Sequence, residues 1–202
     1  MIFDREASAE DRWKAFYELT TGNKAARRRA RKILLGIALD ATEAVEVREV
    51  ALRSLALLGT ARSTRPLLPL LLDTNTPWEV RAEVAHVLGM AGETRPFALR
   101  ALMAAWKTAP PPVRFYIAYA FSHFRSQRPI ALLRENINDD TPSHDLWWTL
   151  AQECRWAILC CRNAERDGAS APEDAAFLSP AWEHETQFFR AKGRRLFPRN
   201  CR

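Results

Sequence analysis

"VREVALRSLALLG", residues 47–59, returns as "VRAEVAHVLGMAG" at 80–92 and as "VRFYIAYAFSHFR" at 113–125. Val47, Val80 and Val113 stand 33 residues apart. A fixed period of this length marks a stacked array of similar units. Within each copy the apolar residues recur at helical spacing: Val47, Ala51, Leu55 and Leu58; Val80, Val84, Leu88 and Ala91; Val113, Ile117, Phe121 and Phe124. A weaker fourth copy keeps the interval with Leu146, Leu150, Cys154 and Ala157. Between copies lie further helical segments opened by Arg-Pro, "RPLLPLLLD" from 65, "RPFALRALMAAW" from 95 and "RPIALLRENIND" from 128. Proline suits the first turn of a helix, where its missing N–H is not needed. Each unit therefore reads as helix, short turn and second helix. One such pair cannot bury its own apolar face, so the pairs must stack.

The composition agrees with that reading. A chain of 202 residues with 48% hydrophobic content supports one domain, 1–202, with a sizeable core. Only seven glycines and no β-branched alternation predict an all-α fold. Cys154, Cys160, Cys161 and Cys201 form no CxxC pair and no disulfide-like spacing. They suit a reducing compartment, and a cytoplasmic location is expected. The opening "MIFDREASAEDRW" has acids and no apolar h-region, so it does not read as a secretory signal. No apolar run is long enough to span a bilayer, so no membrane association is expected. The net charge of +6 permits an acidic partner without requiring one.

The pattern resembles the HEAT repeat family over residues 24–163, as about four helix pairs. The carriers are the Val-Arg pairs, Leu-x-x-Leu-Gly or near variants, and an aspartate eight residues before the arginine (Asp40 before Arg48, Asp73 before Arg81). The resemblance implies a right-handed α-α superhelix, a HEAT-like solenoid whose second helices line a concave binding face. It also implies an Asp–Arg ladder joining neighbouring repeats. The third copy has Trp106 in place of the aspartate; the fourth keeps Asp139 but has Trp147 in place of the arginine. Capping helices are expected at both ends. "AEDRWKAFYEL" (9–19) falls within an N-terminal cap over 1–23. Residues 164–202 hold a loop, a helix starting near Ser179 and Pro180, and a basic tail.

Stepping by 33 along the second helices gives the residues the concave face would carry. One column reads Arg53, His86, Tyr119 and Gln152; the next reads Val50, Glu83, Tyr116 and Thr149. Two more read Glu49, Ala82, Phe115 and Trp148, and Glu46, Glu79, Pro112 and Asp145. The groove would run from acidic to aromatic, a surface for a protein partner and in particular a basic one. The candidate binding residues are Glu49, Arg53, Glu79, Glu83, His86, Tyr116, Tyr119, Trp148 and Gln152. The same aromatics could instead fill gaps between helices.

A second cluster, "KAARRRARK" at 24–32, gives a candidate basic patch of Lys24, Arg27, Arg28 and Arg31. It falls on a first helix, and the acids opposite it disfavour nucleic acid. Some HEAT-like proteins are alkylpurine DNA glycosylases, and Trp147, Trp148, Trp156, Asp145 and Arg155 supply matching residue types. The spacing does not assemble them. His86, His123, His144 and His184 lack ligand spacing, and no phosphate loop or nucleophile motif is present, so no metal, cofactor or catalytic centre is expected. The sequence reads as a non-enzymatic binding module, an adaptor, assembly factor or inhibitor such as a bacterial immunity protein. The alternative is a nucleic-acid-binding relative of the glycosylases.

Overall fold

The computed structural model describes residues 23–58, 64–90, 96–124, 126–141 and 149–163. The expected capping helices, together with Asp145, Trp147 and Trp148, lie outside the described residues. Eight α-helices and a short 3₁₀ turn make up the described residues. They are α1 (Lys24–Leu39), α2 (Val45–Leu57), the 3₁₀ turn Arg65–Leu67 leading into α3 (Leu68–Leu72), α4 (Trp78–Met90), α5 (Pro96–Trp106), α6 (Pro111–Phe121), α7 (Ile130–Arg134) and α8 (Leu150–Asn163). Consecutive helices pair as hairpins, α1 with α2 through α7 with α8. The second helices α2, α4, α6 and α8 also pack in sequence against one another. Among the first helices, only α3 and α5 make comparable contact. This two-row stack is an α-solenoid. Its second row is the more closely packed.

Local signals place the helix starts. Asn23 caps α1, its Oδ1 accepting from the N–H groups of Ala25 at 3.1 Å and Ala26 at 3.0 Å. Thr149 and Gln152 cap α8 reciprocally: Thr149 N–H donates to Gln152 Oε1 at 2.7 Å, and Gln152 N–H to Thr149 Oγ1 at 3.2 Å. α5 and α6 each open on proline, and Pro69 sits in the first turn of the five-residue α3.

The repeating apolar columns form the core. Ala51, Val84 and Ile117 are fully buried, as are Leu55, Leu88, Phe121 and Cys154 one turn on. Each large apolar side chain so buried contributes about 2 kcal/mol. Where two second helices approach most closely there is no room for a side chain. A Cβ on Gly89 of α4 would stand 2.7 Å from the Ala120 Cα of α6.

The repeated arginines do not form the Asp–Arg ladder that the resemblance implied. Arg48 Nε donates to the Ala38 carbonyl at 3.1 Å, Arg81 Nε to Leu71 at 3.2 Å and Arg114 Nε to Trp106 at 3.1 Å. Each acceptor lies in the last turn of the preceding helix, where carbonyls lack intrahelical partners. The bond therefore closes one hairpin instead of joining two repeats. It survives in the third repeat because its acceptor is backbone; there Arg114 also lies over the Trp106 ring, 5.8 Å from its centroid, and its Nη1 donates forward to Asn136 Oδ1 at 3.3 Å. Asp40 and Asp73 reach Arg48 and Arg81 through charge alone, without an ion pair. Asp40, Asp73 and Asp139 each accept the backbone N–H two residues on, at 2.9, 2.9 and 3.1 Å, and so shape the turn between helices.

Candidate functional site

Six of the nine candidate residues meet on the second row. Glu49 and Arg53 come from α2, Glu83 and His86 from α4, and Tyr116 and Tyr119 from α6. Arg53 Nε donates to Glu83 Oε1 at 2.6 Å, and its Nη2 lies 3.4 Å from Glu49 Oε1. His86 Nδ1 donates to Glu83 Oε2 at 3.3 Å, which leaves Nε2 turned away from the carboxylate. The His86 ring meets Tyr119 edge-on at 5.6 Å and lies 6.5 Å from Tyr116. The ring series continues from Tyr116 to Phe115 at 5.7 Å and from Tyr119 to His123 at 4.8 Å. Three successive repeats thus converge on one patch.

Glu83 departs from expectation. The 33-residue register makes it an exposed acid lining the groove, yet it is 2% exposed, buried where α2, α4 and α6 pack together. Burial alone would raise its carboxyl pKa. The hydrogen bonds from His86 and Arg53, with the charge of Arg53, outweigh that and hold it below the usual range. The Arg53 side chain is half exposed, so the patch presents a guanidinium aimed by a hidden carboxylate. Ala82, expected to face out beside it, is buried too. His123 is held below its ordinary pKa first by burial, although it donates to the Tyr119 carbonyl at 3.0 Å.

The remaining candidates lie apart from this patch. Glu79, in the first turn of α4, is half-buried and forms no ion pair with a described residue. Gln152 serves the α8 cap. Trp148 is outside the described residues. Phe115 and His123 were not selected from sequence, although Phe115 sits in one of the columns read above and His123 follows Tyr119 by one helical turn.

The basic patch also changes membership. Lys24, Arg27 and Arg28 are exposed on α1, but Arg31 turns inward and its Nη2 donates to the Leu58 carbonyl at 3.0 Å. Arg29 and Lys32 join the exposed set. No group of three or more His, Cys, Asp or Glu side chains suited to a metal ion occurs among the described residues. No described helix is long and apolar enough to cross a membrane.

A family model described as HEAT repeats matches residues 34–115, from the middle of α1 into α6. That stretch belongs to the HEAT repeat family, whose members generally mediate protein–protein interaction and are generally non-catalytic. Neither the curated proteins nor the solved structures contain a match to this chain.

Proposed function

We propose that the chain is a non-enzymatic protein-binding module that seats its partner on the second-helix row. The partner would lie across His86, Tyr116 and Tyr119, with Arg53 and Glu49 beside them. One observation carries this reading: three repeats bring half-buried rings and a half-exposed arginine together around a buried, fully bonded carboxylate. Tyrosine and arginine are favoured where a few residues supply most of the binding energy. A patch pre-ordered by buried hydrogen bonds loses little entropy when it is covered. The charge of Glu83 is consumed within the patch, so the partner is recognised chiefly by packing and directed hydrogen bonds. Glu79 remains to favour a basic partner at the margin. An adaptor, an assembly factor and an inhibitor such as an immunity protein all fit this mode of action.

The test is affinity capture with the full chain as bait, partner identification by mass spectrometry, and repetition with Tyr116→Ala/Tyr119→Ala. The expected result is loss of the partner at about 2 kcal/mol or more of binding energy, with the melting temperature nearly kept. Undiminished capture by a folded variant would place the interface elsewhere.

A further inference from the structure

The two rows of the solenoid differ in charge. The first-row helices hold no Asp or Glu: the charged residues of α1 are all Lys or Arg, and those of α5 and α7 are Arg100 and Arg134. Every helix-borne acid among the described residues belongs to the second row, on α2, α4 or α8. On α1, Lys24, Arg27, Arg28, Arg29 and Lys32 are exposed without an ion pair to a described residue. Apolar side chains stand among these cations. Of the four large apolar residues exposed among the described ones, three lie on the first row: Ile33 at 47%, Leu39 at 39% and Leu72 at 47%. Arg28, Lys32 and Leu39 follow one another at helical spacing, as do Arg29, Ile33 and Gly36, away from the buried Ala30, Leu34 and Ala38. Leu39 and Leu72 end α1 and α3, 33 residues apart, and so recur one step along the array. An open groove of about 570 Å³ runs past Arg29, Lys32, Ile33 and Gly36 to Asp40. The Asp40 carboxylate is engaged in its own turn, accepting from the Thr42 N–H at 2.9 Å and the Thr42 hydroxyl at 2.7 Å.

We infer that this face of α1 and α3 docks on the surface of an anionic lipid bilayer. Such a surface presents negative headgroups above an apolar layer, so it answers both kinds of side chain at once. The lysines and arginines would lie at headgroup level, with Ile33, Leu39 and Leu72 reaching below them. The phosphate backbone of a nucleic acid would meet the cations but leave the three apolar side chains in water. A protein partner is the poorer match as well. The described first-row helices expose no aromatic side chain, the anchor that protein interfaces favour. Lying on a bilayer requires no spanning helix. The second row is left open for the protein partner.

Co-sedimentation of the full chain with vesicles tests the assignment. The chain should pellet with phosphatidylcholine–phosphatidylglycerol vesicles, stay in solution with phosphatidylcholine alone, and bind less as salt is raised. Arg28→Glu/Lys32→Glu should weaken the binding about thirtyfold. Leu39→Ser/Leu72→Ser leaves the charge unchanged and should weaken it about tenfold. Val50→Ser, at a similarly exposed position on the second row, should leave it unchanged. Far-UV circular dichroism should match the wild type in all three variants. Failure to pellet with the mixed vesicles overturns the assignment, and so does binding that the folded leucine variant keeps in full. Binding of a duplex oligonucleotide through Arg28 and Lys32, without binding to the vesicles, would overturn it in favour of nucleic acid. None of these readouts involves the second-row patch, so this assignment and the proposed partner site stand or fall separately.

Discussion

Replacing Glu83 by glutamine keeps the shape of the side chain and removes its charge. Arg53 and His86 would then face a neutral amide, with Arg53 partly rescued by solvent. Glu83→Gln should therefore cost about 2 kcal/mol of stability, measured by chemical denaturation; an unchanged midpoint would mean that the carboxylate does not hold the three repeats together. Glu153 is the opposite case. It is 6% exposed, its Oε1 has no hydrogen-bond partner among the described residues, and burial pushes its carboxyl from 4.5 up to about 8. A carboxyl raised on folding holds its proton more tightly in the folded chain. Its contribution is thus fully present below pH 4.5 and is lost as pH rises through about 8. The melting temperature should fall across that window, and Glu153→Gln should flatten the fall. An identical pH profile for the variant would refute the assignment.

At the scale of helices, the close approach of α4 and α6 makes a sharp prediction. Gly89→Ala drives a methyl group into the Ala120 backbone, which cannot swing aside as a flexible side chain could. The expected cost is about 2 kcal/mol, despite the better helix propensity of alanine. A variant as stable as the wild type would show that the second row has slack. The helices themselves were legible because their period was: α2, α4 and α6 begin at Val45, Trp78 and Pro111, again 33 residues apart. Spacing along a column revealed the face turned toward the partner helix. It could not reveal the lateral faces, because a second-row helix is also buried against its neighbours in the row. That is why Ala82 and Glu83, read as outward, are covered. The arginine bonds to backbone carbonyls were equally invisible, since any residue supplies such an acceptor. Arg31 was misplaced in the basic patch for the same reason.

For the whole molecule, the 33-residue register alone brings Arg53, His86, Tyr116 and Tyr119 to one place. It does so because a solenoid converts a fixed sequence interval into a fixed spatial step. The register could not show that the acids and bases of the patch neutralise one another, since that depends on which side chains reach across between helices. Solvent footprinting of the captured complex tests the partner site most directly. Carbethoxylation of the full chain, free and partner-bound, reads the accessibility of His86, while amine labelling reads Lys24 and Lys32 on α1. The account predicts strong protection of His86 on partner binding, with both lysines labelled equally in the two states. Protection of Lys24 and Lys32 with His86 still reactive would contradict it and move the interface to the first-helix row.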